Sequence, residues 1–180
     1  MIPEGIELRR LTPADAAAYR AFMLAAYLRD PQAFTSSAAE REALPLSWWG
    51  ARLAADEGPR APAPEQVLGA WAAKELVGVA GLALERRERT RHRGTLFGMA
   101  VAPAWRRRGL GRRLVQAVLG RARLIDGIEQ VQLTVSRGNG NAERLYESCG
   151  FVAWGVEPQA VRLGPQAWVD KVHMACRLVA

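Results

Sequence analysis

Cysteine and histidine are scarce in this 180-residue chain, and their scarcity limits the chemistry that it can perform. Cys149 and Cys176 are the only cysteines, and His92 and His173 are the only histidines. Two cysteines provide no disulfide framework, and no Cys-x-x-Cys or His-x-x-x-His pair is present to suggest a zinc site. We therefore expect a cytoplasmic protein from a reducing compartment that binds no metal.

Long apolar segments are also missing. The longest stretch without a charged side chain runs for 12 residues from Gly94 to Trp105 and contains two glycines and a proline. A membrane-spanning helix needs about 18 apolar residues, so we expect none. The first residues include acids and lead into no apolar region, so we expect no secretory signal. The composition, 49% hydrophobic and 24% charged, excludes disorder as the main state.

Lysine is almost absent, because Lys74 and Lys171 are the only two and 23 of the 25 basic side chains are arginines. The formal net charge is +7. Ten arginines and one acid fall between Arg86 and Arg113, so this window carries +9 and the rest of the chain −2. Such a basic stretch binds an anionic ligand, coats a nucleic acid or forms a solvated face.

Hydrophobic periodicity and turn residues predict a mixed α/β chain with a meander of strands at its centre. The predicted strands are residues 6–11, 67–72, 76–84, 95–101, 130–135, 151–154 and 168–178. The predicted helices are residues 13–28, 46–55, 109–123 and 141–148, and residues 34–42 stay ambiguous. A loop rich in glycine and proline over residues 56–65 joins two parts of one fold. We therefore expect a single domain over residues 1–180.

The strongest local signal for ligand binding is the turn between the strand that ends at Val101 and the helix that starts at Gly109. Glycines here let a ligand approach the backbone closely, and the unpaired N–H groups of the first helical turn attract anions. A Rossmann fingerprint needs a third glycine where Leu114 stands, and a Walker A loop needs a Gly-Lys-Ser/Thr sequence. The turn is an anion site of another kind, or a loop that only packs.

The residues around this turn match a known ligand-binding signature at every fixed position. The signature Arg/Gln-x-x-Gly-x-Gly/Ala is Arg106-Arg107-Arg108-Gly109-Leu110-Gly111 here, preceded by Val101-x-Pro103. A second element, Asn-x-x-Ala-x-x-Leu-Tyr-x-x-x-Gly-Phe, is complete from Asn139 to Phe151. With a similar opening over Leu8–Asp15, nearly the whole chain resembles the GNAT superfamily of N-acetyltransferases, especially its bacterial members.

The resemblance implies an α/β (α+β) fold, with a mixed central sheet of about six to seven strands flanked by about four helices. It also implies acetyl-CoA as cosubstrate, whose pantetheine arm pairs with main-chain groups of the central strand. A bulge in that strand and its splay from the next would admit the arm. The turn would hold the pyrophosphate, and Arg113 would reach the 3′-phosphate. The cofactor-binding residues that the resemblance implies are Met99, Ala100, Val101, Arg106, Arg107, Arg108, Gly109, Leu110, Gly111, Arg112 and Asn139.

The resemblance also implies the catalytic groups. Tyr146 stands at the position of the general acid that protonates the departing thiolate. Some relatives carry a glutamate base five residues before Asn139, but this chain has Thr134 there. Glu85, Asp170 or a water-mediated path remain as candidates for the base. A lysine amine with pKa about 10.4 needs more help to deprotonate than an α-amine near 8, so the missing glutamate weakly favours a low-pKa acceptor.

The acceptor implied is a primary amine of a small molecule or peptide, which attacks the thioester directly in a ternary complex. Two other functions stay open. The missing glutamate is compatible with an acyl-CoA-binding sensor without turnover. The clustered arginines suggest a nucleic-acid-binding module, but no helix-turn-helix, zinc-finger or RNP signature supports it, so we expect no nucleic-acid partner. We also expect no membrane partner, and a homodimer is one option.

Aromatic side chains in the predicted acceptor region either line a pocket or belong to the core. They are Tyr27, Phe34, Trp48, Trp49 and Trp168. Glu40 and Glu42 either attract a cationic acceptor or are solvated. The basic segment Arg86–Arg93 has no assigned partner.

Overall fold

The computed structural model describes residues 5–57 and 61–178, and the strands of this part of the chain form one seven-stranded sheet. The strands are β1 (Ile6–Arg10), β2 (Glu65–Ala72), β3 (Glu75–Leu84), β4 (Arg93–Val101), β5 (Gln130–Ser136), β6 (Val152–Gly164) and β7 (Ala167–Arg177). The helices are α1 (Ala16–Arg29), α2 (Ala38–Glu42), α3 (Leu46–Ala51), α4 (Leu110–Arg123) and α5 (Gly140–Glu147). Short 3₁₀ turns occupy Pro13–Asp15, Pro31–Ala33 and Pro103–Trp105.

The order of strands across the sheet is β1-β2-β3-β4-β5-β7-β6. The first four strands form an antiparallel meander, β4 and β5 are parallel, and β5, β7 and β6 are antiparallel. The predicted mixed α/β sheet with a central meander is confirmed. The first four residues, where the absence of a secretory signal is predicted, and residues 58–60 of the predicted loop lie outside the described residues.

A short helix, α2, occupies the segment that sequence patterns leave ambiguous, and it brings the described helices to five. The Ser37 hydroxyl accepts a hydrogen bond from the Glu40 N–H at 3.1 Å, and the Glu40 carboxylate accepts one from the Ser37 N–H at 2.7 Å. This reciprocal pair is a capping box, which satisfies two N–H groups that a helix start leaves free. The Ser-x-x-Glu spacing is the signal that could have predicted this helix.

The helices cover the two faces of the sheet and create two cores. On one face α4 buries Leu114 and Val118, as its periodicity predicts, together with α5 and residues of β5 and β7. On the other face α1 and α3 bury Met23 and Trp49 above the meander. In residues 5–57 and 61–178, every helix is too short or too polar to cross a membrane.

The C-terminal hairpin is longer than the sequence predicts. Periodicity places the end of β6 at Trp154, but the strand continues to Gly164 and pairs with β7 through three register shifts. The prediction was wrong because β6 is an edge strand whose side chains are mostly exposed, so no apolar alternation marks it. Helix α3, in contrast, is shorter than predicted, since it ends at Ala51 instead of Ala55.

We predict that Gly69→Ala destabilises the fold by about 1–3 kcal/mol, because the meander is packed too closely for a methyl group. A Cβ at Gly69 would lie 2.5 Å from a methyl carbon of Leu11, which is completely buried, and 3.0 Å from one of Leu76. The control is Gly120→Ala in α4, where nothing lies within 4 Å. That change should stabilise the helix by about 0.5–1 kcal/mol. Urea unfolding measures both, and equal midpoints for the two variants would contradict the prediction.

Candidate active site

A cleft opens where β4 and β5 separate. The two parallel strands pair over only three residues, Arg93–Thr95 with Gln130–Gln132, and then diverge. A cavity of about 1000 Å³ lies between them. Its walls are formed by Met99–Val101 of β4 and by 134–136 of β5.

A β-bulge in β4 re-aims its backbone at this cleft. Val79 pairs with Ala100 and Gly81 pairs with Phe97, so β4 carries one more residue than β3 between these two pairs. Gly98 lies in this bulge with φ +59°, a conformation that glycine adopts without strain. Past Thr95, β4 has no ladder with β5. Main-chain groups on that edge are therefore available for a ligand, as the resemblance implies.

The cavity continues to the glycine turn before α4. Arg107 and Gly109 adopt left-handed conformations, with φ +60° and +77°, and Gly109 is the N-cap residue of α4. Arg107, Gly109 and Gly111 line the cavity. Leu110 is buried in the core, so only its backbone can face a ligand. The free N–H groups of the first turn of α4 give this end of the cavity the donors that attract an anion.

The arginines of the turn have different surroundings. Arg106 donates to the Val101 carbonyl at 3.0 Å and forms an ion pair with Asp30, so its charge is already compensated within the protein. Arg108 stacks over Trp105 at 5.6 Å. Arg107, Arg108 and Arg112 are exposed and remain available to an anion.

A strap of residues 30–34 crosses the cleft. At one end Asp30 pairs with Arg106 after β4. At the other end the Gln32 carbonyl accepts a hydrogen bond from the Ser136 hydroxyl, and the Ala33 carbonyl accepts one from Lys171 Nζ at 3.3 Å. The strap therefore connects the two diverging strands and forms part of the cavity wall.

Tyr146 lies where α5 borders the cavity, with 7% of its surface exposed. Its ring packs edge-on against Phe151 with a centroid distance of 5.9 Å. Burial raises the pKa of Tyr146 to about 12. Its phenol is therefore protonated throughout the neutral range and holds a proton that it can donate.

Asn139 lies at the cavity and caps α5, because its side-chain oxygen accepts a hydrogen bond from the Ala142 N–H at 3.3 Å. The amide N–H₂ remains free to face a ligand. Asp30 is the single carboxylate among the described residues that line the cavity, and Arg29 and Arg106 both pair with it.

The two acids predicted as bases lie in different places. Glu85 stands beyond β3 at the end opposite the cleft, where its N–H donates to the Arg93 carbonyl. Asp170 lies nearer, next to Val169, which lines the cavity. Both Asp170 oxygens are in contact with partners, since one accepts from the Gln159 N–H at 2.9 Å and the other pairs with Arg137 at 3.3 Å. A role as base stays a prediction for each.

The aromatic side chains divide between core and surface. Phe34 lines the cavity and packs against Tyr27. Trp49 is buried in the core of the α1 face, and Trp48 packs against it. Trp168 is exposed on the hairpin beside Arg162.

Lys171 is a buried residue near the site that sequence patterns miss. Only 4% of its surface is exposed, and Nζ donates to Ser136 Oγ at 2.8 Å as well as to the strap. Burial lowers the pKa of this amine. Alternation in β7 places Lys171 on the opposite face from the buried Val172, which predicts exposure. The strap covers that face, and no local pattern reveals it.

Sequence comparison agrees with this geometry. The profile described as "Acetyltransferase (GNAT) family" matches residues 22–151. The chain belongs to the GNAT acetyltransferase family. Its resemblance to that family is therefore confirmed, and the fold described above is the fold of a family of acetyltransferase enzymes.

Two curated relatives show how far the similarity extends. A mycothiol acetyltransferase from Renibacterium salmoninarum is 29% identical over 163 residues, which cover 87% of this chain and 43% of that protein. A mycothiol acetyltransferase from Thermobispora bispora is 44% identical over 64 residues, which cover 36% of this chain and 21% of that protein. This chain therefore spans less than half the length of the curated relatives it matches.

Solved structures share the GNAT fold over nearly the whole chain. An acetyltransferase of the GNAT family from Streptococcus pneumoniae superposes with a TM-score of 0.84 at 24% identity, covering 96% of this chain and 99% of that one. The protein yncA from Salmonella typhimurium, solved with its cofactor acetyl-CoA, superposes with a TM-score of 0.75 at 24% identity. That alignment covers 97% of this chain and 95% of yncA.

We predict that the free energy of unfolding of this GNAT protein, relative to a Lys171→Met variant, rises with pH in the range below the pKa of an unfolded lysine, about 10.4. The unfolded lysine keeps its proton up to a pKa of about 10.4, whereas the folded one loses it earlier. In that window the unfolded state binds more protons, so raising the pH stabilises the native state. Urea titrations at several pH values measure the difference.

The matched control is Lys74→Met, which removes the other lysine at the exposed β2–β3 turn, where the side chain is in water before and after unfolding. A difference between wild type and Lys171→Met that is constant across the pH range would contradict the prediction.

Proposed function

We propose that the protein is an acetyl-CoA-dependent N-acetyltransferase and that residues 1–180 act as one catalytic domain. The observation that carries the proposal is the continuous path from the bulged edge of β4 to the anion site at the start of α4. A pantetheine arm fits an unpaired strand edge, because its amides can replace the missing ladder partners. The exposed Arg107, Arg108 and Arg112 and the helix N-terminus complement a pyrophosphate.

We expect the transfer to be direct. Among the described residues that line the cavity there is no cysteine, and the Ser136 hydroxyl is occupied by Gln32 and Lys171. An amine nitrogen would thus attack the thioester carbonyl carbon in a ternary complex, forming the C–N bond as the C–S bond breaks. The acceptor is a primary amine of a small molecule or peptide.

Tyr146 would supply the proton that the departing sulfur needs. Its burial keeps the phenol uncharged until it meets a developing thiolate, and the neighbouring cleft is where that charge forms. The amine loses a proton during the same step, which can restore the phenol.

A sensor that binds acyl-CoA without turnover is a second candidate. It is favoured by the single lining carboxylate, Asp30, which arginines neutralise and which is therefore a poor base. Turnover distinguishes the two functions, since both require the same binding path.

We predict that acetyl-CoA at 100 times its Kd raises the melting temperature by about 5–10 °C, because ligand binding of that strength stabilises by about 2.7 kcal/mol. Gly109→Ala should lose most of this shift. Gly127→Ala is the matched control, since both glycines have positive φ and an added Cβ would meet nothing within 4 Å at either position. Gly127 lies beyond the far end of α4, so its variant should retain the shift.

Thiol release is then followed with amino acids, polyamines, aminoglycosides and peptide N-termini as acceptors. Turnover of any of them supports the enzyme. A thermal shift with silence across the whole panel would instead support the sensor. No thermal shift at any concentration would contradict binding at this cleft.

We predict that Tyr146→Phe lowers kcat by about 10²–10⁴-fold at saturating acetyl-CoA and leaves the thermal shift unchanged, because the ring stays and only the donated proton is lost. The control is Tyr19→Phe, since Tyr19 is equally buried but packs against Trp49 on the opposite face. Unchanged turnover in Tyr146→Phe would remove the acid role.

A further inference from the structure

We infer that His173, held by Glu157, is the general base that removes a proton from the acceptor amine. This inference rests on the proposed function and names a residue that sequence patterns did not select. It begins from the lack of a free carboxylate among the described residues of the cavity, which leaves the proton of the attacking amine without an acceptor.

The strand register places His173 beside the cleft. Thr134 of β5 lines the cavity, and His173 of β7 is its direct partner across the antiparallel ladder. Side chains of opposite residues lie on the same face with Cβ atoms about 4.5–5.5 Å apart. Val172 and Met174 of β7 point into the core beneath α4 and α5, so His173 projects from the other face.

That face is where an acceptor can approach. Lys171, which the strap covers, lies two residues before His173 on the same side of β7, so His173 is on the side of the sheet that the strap crosses. Thr134 is exposed, and the His173 side chain retains 27% of its exposure. His173 lies behind Thr134 and does not itself line the cavity, so the proton would reach its partly exposed ring through a water.

Glu157 holds the imidazole ring of His173 in one orientation. The Glu157 carboxylate lies 3.0 Å from His173 Nε2, and the Trp154 ring packs against the imidazole at a centroid distance of 5.0 Å. When Nε2 carries the proton that this contact binds, Nδ1 presents its lone pair as the proton acceptor. The carboxylate also stabilises the imidazolium that forms after proton transfer.

The charged groups around His173 are few and identifiable. Glu157 faces it from β6, and Lys171 shares its face of β7 but directs Nζ to Ser136 and Ala33. From β5 its partner is the uncharged Thr134. By contrast, Asp170 and Asp30 are both paired with arginines.

The proton balance of the reaction is complete with this assignment. An alkylammonium first gives one proton to His173 Nδ1, which passes it to solvent. The neutral amine then attacks the thioester carbon, the C–N bond forms and the C–S bond breaks. Tyr146 protonates the leaving sulfur and regains a proton from the nitrogen of the adduct. One proton is released per amide formed.

The test compares two small amines of similar size as acceptors. Ethylamine is protonated at neutral pH and needs a base, whereas 2,2,2-trifluoroethylamine is largely unprotonated because its fluorines withdraw electrons. His173→Gln should lower kcat/KM for ethylamine by about 100-fold and for trifluoroethylamine by less than about 3-fold. Glu157→Gln, which removes only the charge that holds the ring, should shift the same ratio by about 10-fold.

His92→Gln is the matched control, because the other histidine precedes β4 at the end of the strand away from the cleft. It should leave both rates unchanged. The acetyl-CoA thermal shift is measured for every variant, so that loss of folding or cofactor binding is recognised.

Equal losses for both amines, or no loss for either, would overturn the assignment of His173 while leaving the proposed function intact. If the wild-type protein acetylates neither amine, the assignment also fails. The proposed function fails as well only if the full acceptor panel is silent.

Discussion

The structure depends on the point at which β4 stops pairing with β5. Up to Thr95 the sheet is continuous, and beyond it the bulge at Gly98 turns β4 away. Buried backbone groups normally need hydrogen-bond partners, so a split in the middle of a sheet is unfavourable unless something else supplies them. In this protein the strap supplies part of the missing connection, and a bound cofactor arm would supply more. The cavity is thus a direct consequence of an incomplete sheet.

The strap joins the two sides of this opening. On one side of the cleft, Asp30 of the strap pairs with Arg106, which follows β4. On the other side, Ser136 of β5 and Lys171 of β7 donate hydrogen bonds to carbonyl groups of the strap. The contacts of the strap join residues that are 76 to 138 positions apart in the chain. Burying Lys171 is unfavourable for a charged amine, because few groups in that place replace its hydration. Its two hydrogen bonds offset part of that loss and keep the strap at the mouth of the cavity.

The arginines that cluster between Arg86 and Arg113 in the sequence form groups with different surroundings in the structure. Arg106 is compensated by Asp30, whereas Arg107, Arg108 and Arg112 surround the start of α4 and are exposed. The segment 86–93 lies between β3 and β4 at the opposite end of these strands from the cleft. Its position excludes it from the cavity. One window of charge in the sequence is therefore two separate surfaces in space.

Local sequence predicted much of the fold and the glycine turn that borders the cavity. The periodicity of α4 and the alternation of β5 were sufficient to place both elements, because each buries one face in a way that repeats along the chain. The glycine turn was recognisable for the same reason, since positive φ at Gly109 and a free helix start are local properties. In contrast, the extended β6 could not be recognised, because an exposed edge strand is held by main-chain pairing that leaves no apolar pattern.

The sequence by itself determined the family, the glycine turn before α4 and the buried faces of the main helices, since each is encoded in residues close together in the chain. Only the tertiary structure decided which side chains meet at the cleft. Thr134 and His173 are neighbours because β7 returns beside β5, and Lys171 is buried because residues 30–34 cross over it. Such contacts arise from the register and packing of distant segments, and no spacing within a single segment contains that information.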